Sequence, residues 1–227
     1  MTTKNIFSFS IIICAVVIAG GVVLINKKDL LLPKKNIDIA AEKIQIRPLS
    51  EDDHILGNPS APILVLEYGD FECPFCQEFQ TTMNRVMNEY GKTGKVAWVY
   101  RHFPLVEFHA NALDAATASE CVASLKDNTA FWSFANTTFD NLPESVTKDK
   151  LKENALSLGI DETEYIKCIQ SPETRAKVNA DIEDGKRLAE NDESFGTPYT
   201  IIITPDEIVP LIGSQPYRLF KDLIERY

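Results

Sequence analysis

The fold of this chain follows from one short stretch, Cys73-Pro74-Phe75-Cys76. The stretch comes directly after an apolar run, Ile63 to Tyr68, which is suited to a central strand buried on both faces. It opens a run with the apolar spacing of a helix, which extends from Gln77 to Tyr90. Two cysteines are therefore predicted at a strand-to-helix turn, with the first sulfur at the helix N-terminus.

This placement has chemical consequences for the two sulfurs. Cysteines separated by two residues can close a small disulfide, and the unpaired N–H groups and dipole of a helix N-terminus favour a thiolate on Cys73. Because thiolates attack disulfides and thiols hardly do, we expect Cys73 to be an exposed nucleophile and Cys76 its partner. A zinc half-site is the alternative, but no second cysteine or histidine pair has suitable spacing. The pattern indicates redox chemistry without a metal or other cofactor.

The rest of the soluble part predicts a small mixed sheet flanked by helices. A second strand at Lys95 to Tyr100 completes a strand–helix–strand unit, which favours parallel pairing. Later in the chain, Tyr199 to Thr204 and Ile208 to Ile212 are predicted to form a hairpin. An amphipathic helix at Ser214 to Tyr227, capped by Ser214, closes the chain.

A helical insert at about residues 107–191 separates these strands. Helices are predicted at His109–Leu125, Phe131–Asp140, Lys148–Gly159, Glu162–Gln170 and Pro172–Asn191. The sheet is therefore predicted to be assembled from two distant parts of the chain.

The N-terminal segment is predicted to be a membrane anchor. Residues 7–25 carry no charge and are mostly Ile, Val, Ala and Phe, and about 20 such residues cross a hydrocarbon core as a helix. We expect an uncleaved signal anchor at residues 1–26, although Val17-Ile18-Ala19 could serve as a cleavage site. A polar tether at 27–54 and one domain at 55–227 follow. Cys14 lies within the anchor and is expected to be inert.

Charge bears on location and on partners. Lys27, Lys28, Lys34 and Lys35 follow the apolar run, so the positive-inside rule alone would place the domain in the cytoplasm. We expect the extracytoplasmic face of the cell membrane instead, because a dithiol beside a structural cysteine pair suits an oxidising compartment. The formal charge of −10, with 33 acidic and 23 basic side chains, argues against a nucleic-acid partner.

Three motifs together resemble the DsbA-like branch of the thioredoxin fold. They are Asp70-Phe71-Glu72-Cys73-Pro74-Phe75-Cys76 after a strand, Gly196-Thr197-Pro198 before a strand, and Ile212-Gly213-Ser214-Gln215-Pro216-Tyr217 near the end. The resemblance covers about residues 50–227. It implies an α/β thioredoxin-like fold with a helical insertion, preceded in membrane-anchored members by a transmembrane helix.

The resemblance also implies a function. It points to a thiol–disulfide oxidoreductase that introduces disulfides into exported proteins with free thiols through a Cys73 mixed disulfide. A membrane quinone-linked partner would reoxidise it. A disulfide reductase or isomerase using the same residues remains an alternative, as does a non-catalytic chaperone or assembly factor on the same fold. Replacing Cys73 by serine would leave only the last of these functional.

Four residues around the cysteine pair are expected to contact substrate. By resemblance, Pro198 is a cis-proline that faces the two cysteines, and the backbone of Thr197 pairs with an extended substrate chain. Pro74 and Phe75, between the cysteines, tune the redox balance and border the substrate. An ordinary proline at the start of a strand is the alternative for Pro198.

Glu67 lies in the otherwise apolar strand, six residues before Cys73. A carboxyl buried there would have a raised pKa and could exchange protons with Cys76, and the family resembled places an acid at this point. Alternatively, Glu67 faces solvent or pairs with a lysine such as Lys95.

The helical insert contains a second cysteine pair, Cys121 and Cys168. Some members of the family resembled carry a non-catalytic disulfide in this insert, and such a bridge would contribute about 4 kcal/mol at most. Two buried free cysteines are the alternative. His102 and His109 follow the second strand, and we expect both to be structural.

Overall fold

The computed structural model describes residue 44 and residues 46–190 and 192–227. The predicted membrane anchor, Cys14 and most of the predicted tether lie outside the described residues. Within the described part of the chain, none of the helices combines the length and hydropathy needed to cross a membrane.

The described residues form one five-stranded mixed sheet in the order β1-β3-β2-β4-β5. Its strands are β1 His54–Gly57, β2 Ile63–Gly69, β3 Val96–His102, β4 Tyr199–Ile203 and β5 Ile208–Ile212. The predicted parallel pairing of β2 with β3 and the predicted β4–β5 hairpin are both confirmed, and the remaining pairs are antiparallel.

Helices surround this sheet and fill the predicted insert. They are α1 Pro74–Glu89, α2 Ala112–Leu125, α3 Asn128–Asp140, α4 Lys148–Ser157, α5 Glu162–Ile169, α6 Pro172–Ala189 and α7 Tyr217–Ile224. The insert, α2 to α6, is helical as predicted. It divides into separate helices, and α3 to α6 each begin at a residue whose side chain caps free N–H groups, namely Asp127, Thr147, Asp161 and Ser171.

Strand β2 is buried along its whole length, as its apolar sequence predicts. Side chains alternate between the faces of a strand. Leu64 and Leu66 therefore enter a core that includes Leu188 of α6. Val65 enters the opposite core, which α1 and α7 cover. Glu67 has the same parity as Val65, which directs its side chain toward the α1 face.

The end of the predicted tether is part of the folded domain. Ile46 is buried, and the backbone N–H of Arg47 donates to Asp184 Oδ1 at 2.7 Å. Asp53 accepts a hydrogen bond of 2.8 Å from the buried guanidinium of Arg101. The tether prediction is thus wrong for residues 46–54, because the buried Arg101 charge requires carboxylate partners and Asp53 supplies one.

The predicted start of the last helix is also wrong. Helix α7 begins at Tyr217, and Pro216 rather than Ser214 holds the N-cap position, in an extended conformation. A residue that precedes proline is disfavoured in the helical region, so Gln215 cannot continue a helix from Ser214.

Candidate active site

The cysteine pair lies where the sequence predicts, at the N-terminus of α1. Cys73 is the N-cap residue in an extended conformation, and Pro74 holds the first helical position, where its missing N–H is not needed. The backbone N–H of Cys73 donates to the Asp70 carbonyl at 3.1 Å. Both Cys73 and Cys76 are free cysteines in the structure.

The sulfur of Cys73 is less accessible than the sequence suggests. Cys73 is 3% exposed and Cys76 is fully buried, so the expectation of an exposed Cys73 is wrong. The cause is the turn before β4, because Cys73 Sγ lies 3.3 Å from the carbonyl oxygen of Thr197. The two residues between the cysteines remain exposed, Phe75 to 58%.

The pKa values of the two thiols are shifted in opposite directions. A hydrogen bond from the Cys76 side chain lowers the pKa of Cys73 to about 6 against the effect of burial, and hydrogen bonds from Thr197 and from the backbone of Cys76 and Phe75 act in the same direction. Burial raises the pKa of Cys76 well above that of an ordinary thiol. At neutral pH the reduced pair is therefore a Cys73 thiolate beside a Cys76 thiol.

Glu67 is buried, 1% exposed, and its carboxylate accepts a hydrogen bond of 2.9 Å from Trp98 Nε1. It neither faces solvent nor pairs with Lys95. Burial raises the pKa of Glu67 to about 8, and the charge of Cys73 adds to the effect. Glu67 in turn raises the pKa of Cys76. The carboxyl and the cysteine pair therefore form one electrostatic unit.

The Thr197–Pro198 peptide bond is cis, and its turn faces the cysteines as the resemblance implies. The Pro198 carbonyl accepts from the Gly213 N–H at 2.9 Å, which ties this turn to the end of β5. Thr197 Oγ1 is buried, and no other partner for it is found among the described residues. It is free to donate to a Cys73 thiolate.

One histidine that sequence reasoning set aside belongs to the site. His109 Nδ1 lies 2.7 Å from Asp70 Oδ2, and the backbone N–H of Asp70 donates to Cys76 Sγ at 3.4 Å. The only signal in the sequence was the position of His109 in the loop after β3, the strand that pairs with β2. His102 lies elsewhere, at the end of β3 near Glu120.

The cysteines of the insert form the second pair. Cys121 of α2 and Cys168 of α5 are joined by a disulfide, with their Cα atoms 5.7 Å apart. Their bond ties two helices of the insert together and leaves the Cys73–Cys76 pair separate.

One cluster could hold a metal ion. Among the described residues, His54, His102 and Glu120 bring three potential ligand atoms within 4.8 Å of one another. In the structure, Glu120 Oε1 lies 2.7 Å from His54 Nε2 and 3.1 Å from His102 Nε2, which are hydrogen-bond distances. Within the described part of the chain, this group does not include Cys73 or Cys76.

A mixed sheet with a helical insert and a cysteine pair at the start of its first helix defines a thioredoxin-fold protein with a thiol–disulfide site. The thioredoxin family model matches residues 49–223. The chain therefore belongs to the thioredoxin family.

Solved structures have the same fold. Alpha-DsbA1 from Wolbachia pipientis is 25% identical with a TM-score of 0.64, over 79% of this chain and 92% of that one. Oxidised BdbD from Bacillus subtilis is 23% identical with a TM-score of 0.64, over 79% of this chain and 95% of that one. At this identity, the similarity shows only that the two proteins share a fold.

Curated relatives cover less of the chain. A Na(+)/H(+) antiporter NhaA 1 from Mycolicibacterium vanbaalenii is 34% identical over 63% of this chain. The matched region is only 23% of the length of that antiporter. A probable disulfide bond formation protein D from Bacillus cereus is 27% identical over 59% of this chain and 63% of its own length.

Proposed function

We propose that this protein is an extracytoplasmic thiol–disulfide oxidoreductase that introduces disulfides into exported proteins. The observation that carries the proposal is the cysteine pair at the N-terminus of α1 against the Thr197 turn, an environment that lowers the pKa of Cys73 to about 6 and raises that of Cys76. A stabilised Cys73 thiolate stabilises the reduced pair, and this makes the corresponding disulfide a stronger oxidant.

The reaction consists of two exchanges. A substrate thiolate attacks Cys73 Sγ, the Cys73–Cys76 bond breaks, and Cys76 leaves as a thiolate that takes up a proton. A second substrate thiolate then attacks the substrate sulfur of the mixed disulfide, and Cys73 leaves as a thiolate. The substrate loses two electrons and the cysteine pair gains them. A membrane quinone-linked partner, as the family implies, would take these electrons and restore the disulfide.

Glu67 suits the proton transfer in the first exchange. Cys76 is buried, so its thiolate needs a proton source inside the protein. Glu67, with a pKa of about 8, still holds its proton at neutral pH and interacts with Cys76. We assign it the transfer of this proton to Cys76, after which Glu67 takes up a proton from solvent, and the reverse transfers during reoxidation.

Substrate would bind beside the exposed residues of the motif. Phe75 offers an apolar surface, and the Thr197 backbone can pair with an extended chain. One observation favours exported substrates, because the Cys121–Cys168 disulfide suits an oxidising compartment. The apolar residues 7–25 suit a membrane anchor.

The activity can be measured with the oxidised full chain in detergent and a reduced protein that needs disulfides to refold. We expect stoichiometric oxidation by the unmodified protein and none after Cys73→Ser. The matched control is the double variant Cys121→Ser with Cys168→Ser, which removes a disulfide of the same chain and should keep the reaction. Full activity of the Cys73→Ser variant would refute the proposal and favour a chaperone or assembly role.

The direction of transfer is tested by equilibrium with glutathione. The low pKa of Cys73 predicts a potential shifted toward that of a strong oxidant, about −120 mV, and above that of thioredoxin, about −270 mV. A value near the latter would make the protein a reductase that uses the same residues.

A further inference from the structure

Hydrogen bonds join the loop after β3 to the segment that precedes Cys73. Asp70 Oδ2 accepts from the Leu105 N–H at 2.8 Å and lies 2.7 Å from His109 Nδ1. Glu72 Oε2 accepts from the Asn111 N–H at 2.6 Å. The carboxylates on both sides of Phe71 therefore hold the loop, and with it the His109 ring, against the active site.

The same aspartate touches both cysteines through its backbone. Its carbonyl accepts from the Cys73 N–H at 3.1 Å, and its N–H donates to Cys76 Sγ at 3.4 Å. One residue thus separates His109 from the cysteine pair. The His109 side chain is 19% exposed, so it can exchange protons with solvent while solvent only partly screens its charge.

Three groups that carry negative charge act on the pKa of His109, namely Asp70, Cys73 and Glu72. Burial opposes its charged form, but the hydrogen bond and charge of Asp70 outweigh burial and raise the pKa of His109, and the charges of Cys73 and Glu72 add to this. Coupling between two sites is reciprocal. If the Cys73 thiolate favours protonated His109, protonated His109 favours the thiolate to the same extent.

We propose that His109 is a redox-linked positioning residue, which holds its proton while Cys73 is a thiolate and gives up part of it when the Cys73–Cys76 disulfide forms. The inference rests on the proposed function. On oxidation, the pair loses two electrons to the incoming disulfide or reoxidase together with the Cys76 proton. His109 releases a further fraction of a proton because the thiolate charge has gone. Protonated His109 therefore stabilises the reduced pair, and this contribution disappears as pH rises through the His109 titration.

The test is an NMR titration of the histidine rings in the full chain in detergent. The chain contains three histidines, and His109→Gln identifies the signal. We expect the pKa of His109 to be higher in the reduced than in the oxidised protein, by a few tenths of a unit to about one unit. In reduced Cys73→Ala, which lacks the thiolate, it should equal the oxidised value.

The reciprocal measurement is the titration of Cys73 in His109→Gln. The pKa of Cys73 should rise by the amount that His109 gains on reduction. The control is Glu107→Gln, which removes an exposed charge from the same loop and should leave the Cys73 titration unchanged.

An equal His109 pKa in both redox states, in a protein whose cysteine pair still exchanges with glutathione, would overturn the inference and leave the proposed function intact. Failure of the pair to exchange at all would overturn the proposed function itself.

Discussion

Replacing Glu67 by glutamine should change how the stability of the protein depends on pH. The carboxyl is fully enclosed beneath the cysteine pair, and burial raises its pKa from 4.5 to about 8. Glutamine has nearly the same shape, and its carbonyl oxygen can still accept from Trp98 Nε1, but it does not titrate. The substitution therefore isolates the ionisation of one group.

The magnitude follows from the two pKa values. Between pH 4.5 and about 8, the folded protein holds the Glu67 proton and the unfolded chain does not, so unfolding releases a proton. Stability falls as pH rises through this window, by about 1.4 kcal/mol per pH unit. The whole window corresponds to about 5 kcal/mol, and the step from pH 5 to pH 7 to about 3 kcal/mol.

The assay is urea unfolding of the reduced proteins across this range, followed by tryptophan fluorescence. Contributions from groups that do not interact with Glu67 cancel in the difference between unmodified protein and Glu67→Gln, and between pH 5 and pH 7 the protonated Glu67 adds no charge beside the cysteine pair. We expect the unmodified protein to lose about 3 kcal/mol relative to the variant between pH 5 and pH 7. Glu78→Gln, at an exposed position of α1, is the control and should show no such trend. A difference that stays constant with pH would refute a buried, protonated Glu67.

Three further substitutions test other parts of the structure. The double variant Cys121→Ser with Cys168→Ser should lose about 2–4 kcal/mol of stability in urea unfolding while its Cys73 chemistry is retained, because it removes only the bridge in the insert. Thr197→Val should raise the pKa of Cys73 in a thiolate absorbance titration, since it deletes a hydrogen bond that lowers this pKa. Glu120→Gln should lose stability at neutral pH. Two histidines outweigh burial and depress the pKa of Glu120, so its contribution is present above about pH 4.3, the ordinary glutamate value, and disappears as pH falls further.

The elements that could be predicted are those whose signals are local. The apolar run of β2 and the helical spacing after Cys73 are readable within a few residues, and so is the β4–β5 hairpin. Strand β1 could not be predicted in this way. It has four residues and exists because it pairs with β3, whose paired residues lie 40 to 46 positions further along the chain.

Long-range polar contacts account for most of what the sequence could not reveal. Arg101 is fully buried in β3, where Asp53 and Asp184 pair with its guanidinium. No sequence pattern identifies either acid as a partner of Arg101. The sequence therefore predicts Asp53 in the tether, whereas the folded domain begins before it.

The active site shows the same limit. The cysteine motif identified the chemistry, because its spacing and position are local. His109 reaches Asp70 across 39 positions and only through a loop that no periodicity predicts. The burial of Cys73 likewise depends on the turn at Thr197, which packs against it from the far end of the insert.

The proposed chemistry requires that Cys73 ionise readily, and an absorbance titration of the thiolate in the reduced full chain measures this ionisation. We predict a single thiolate that forms with a pKa of about 6 and is absent from the Cys73→Ser variant. A titration near 8.5, the pKa of a free thiol, would contradict the proposed function, because Cys73 would then be neither an activated nucleophile nor a good leaving group at neutral pH.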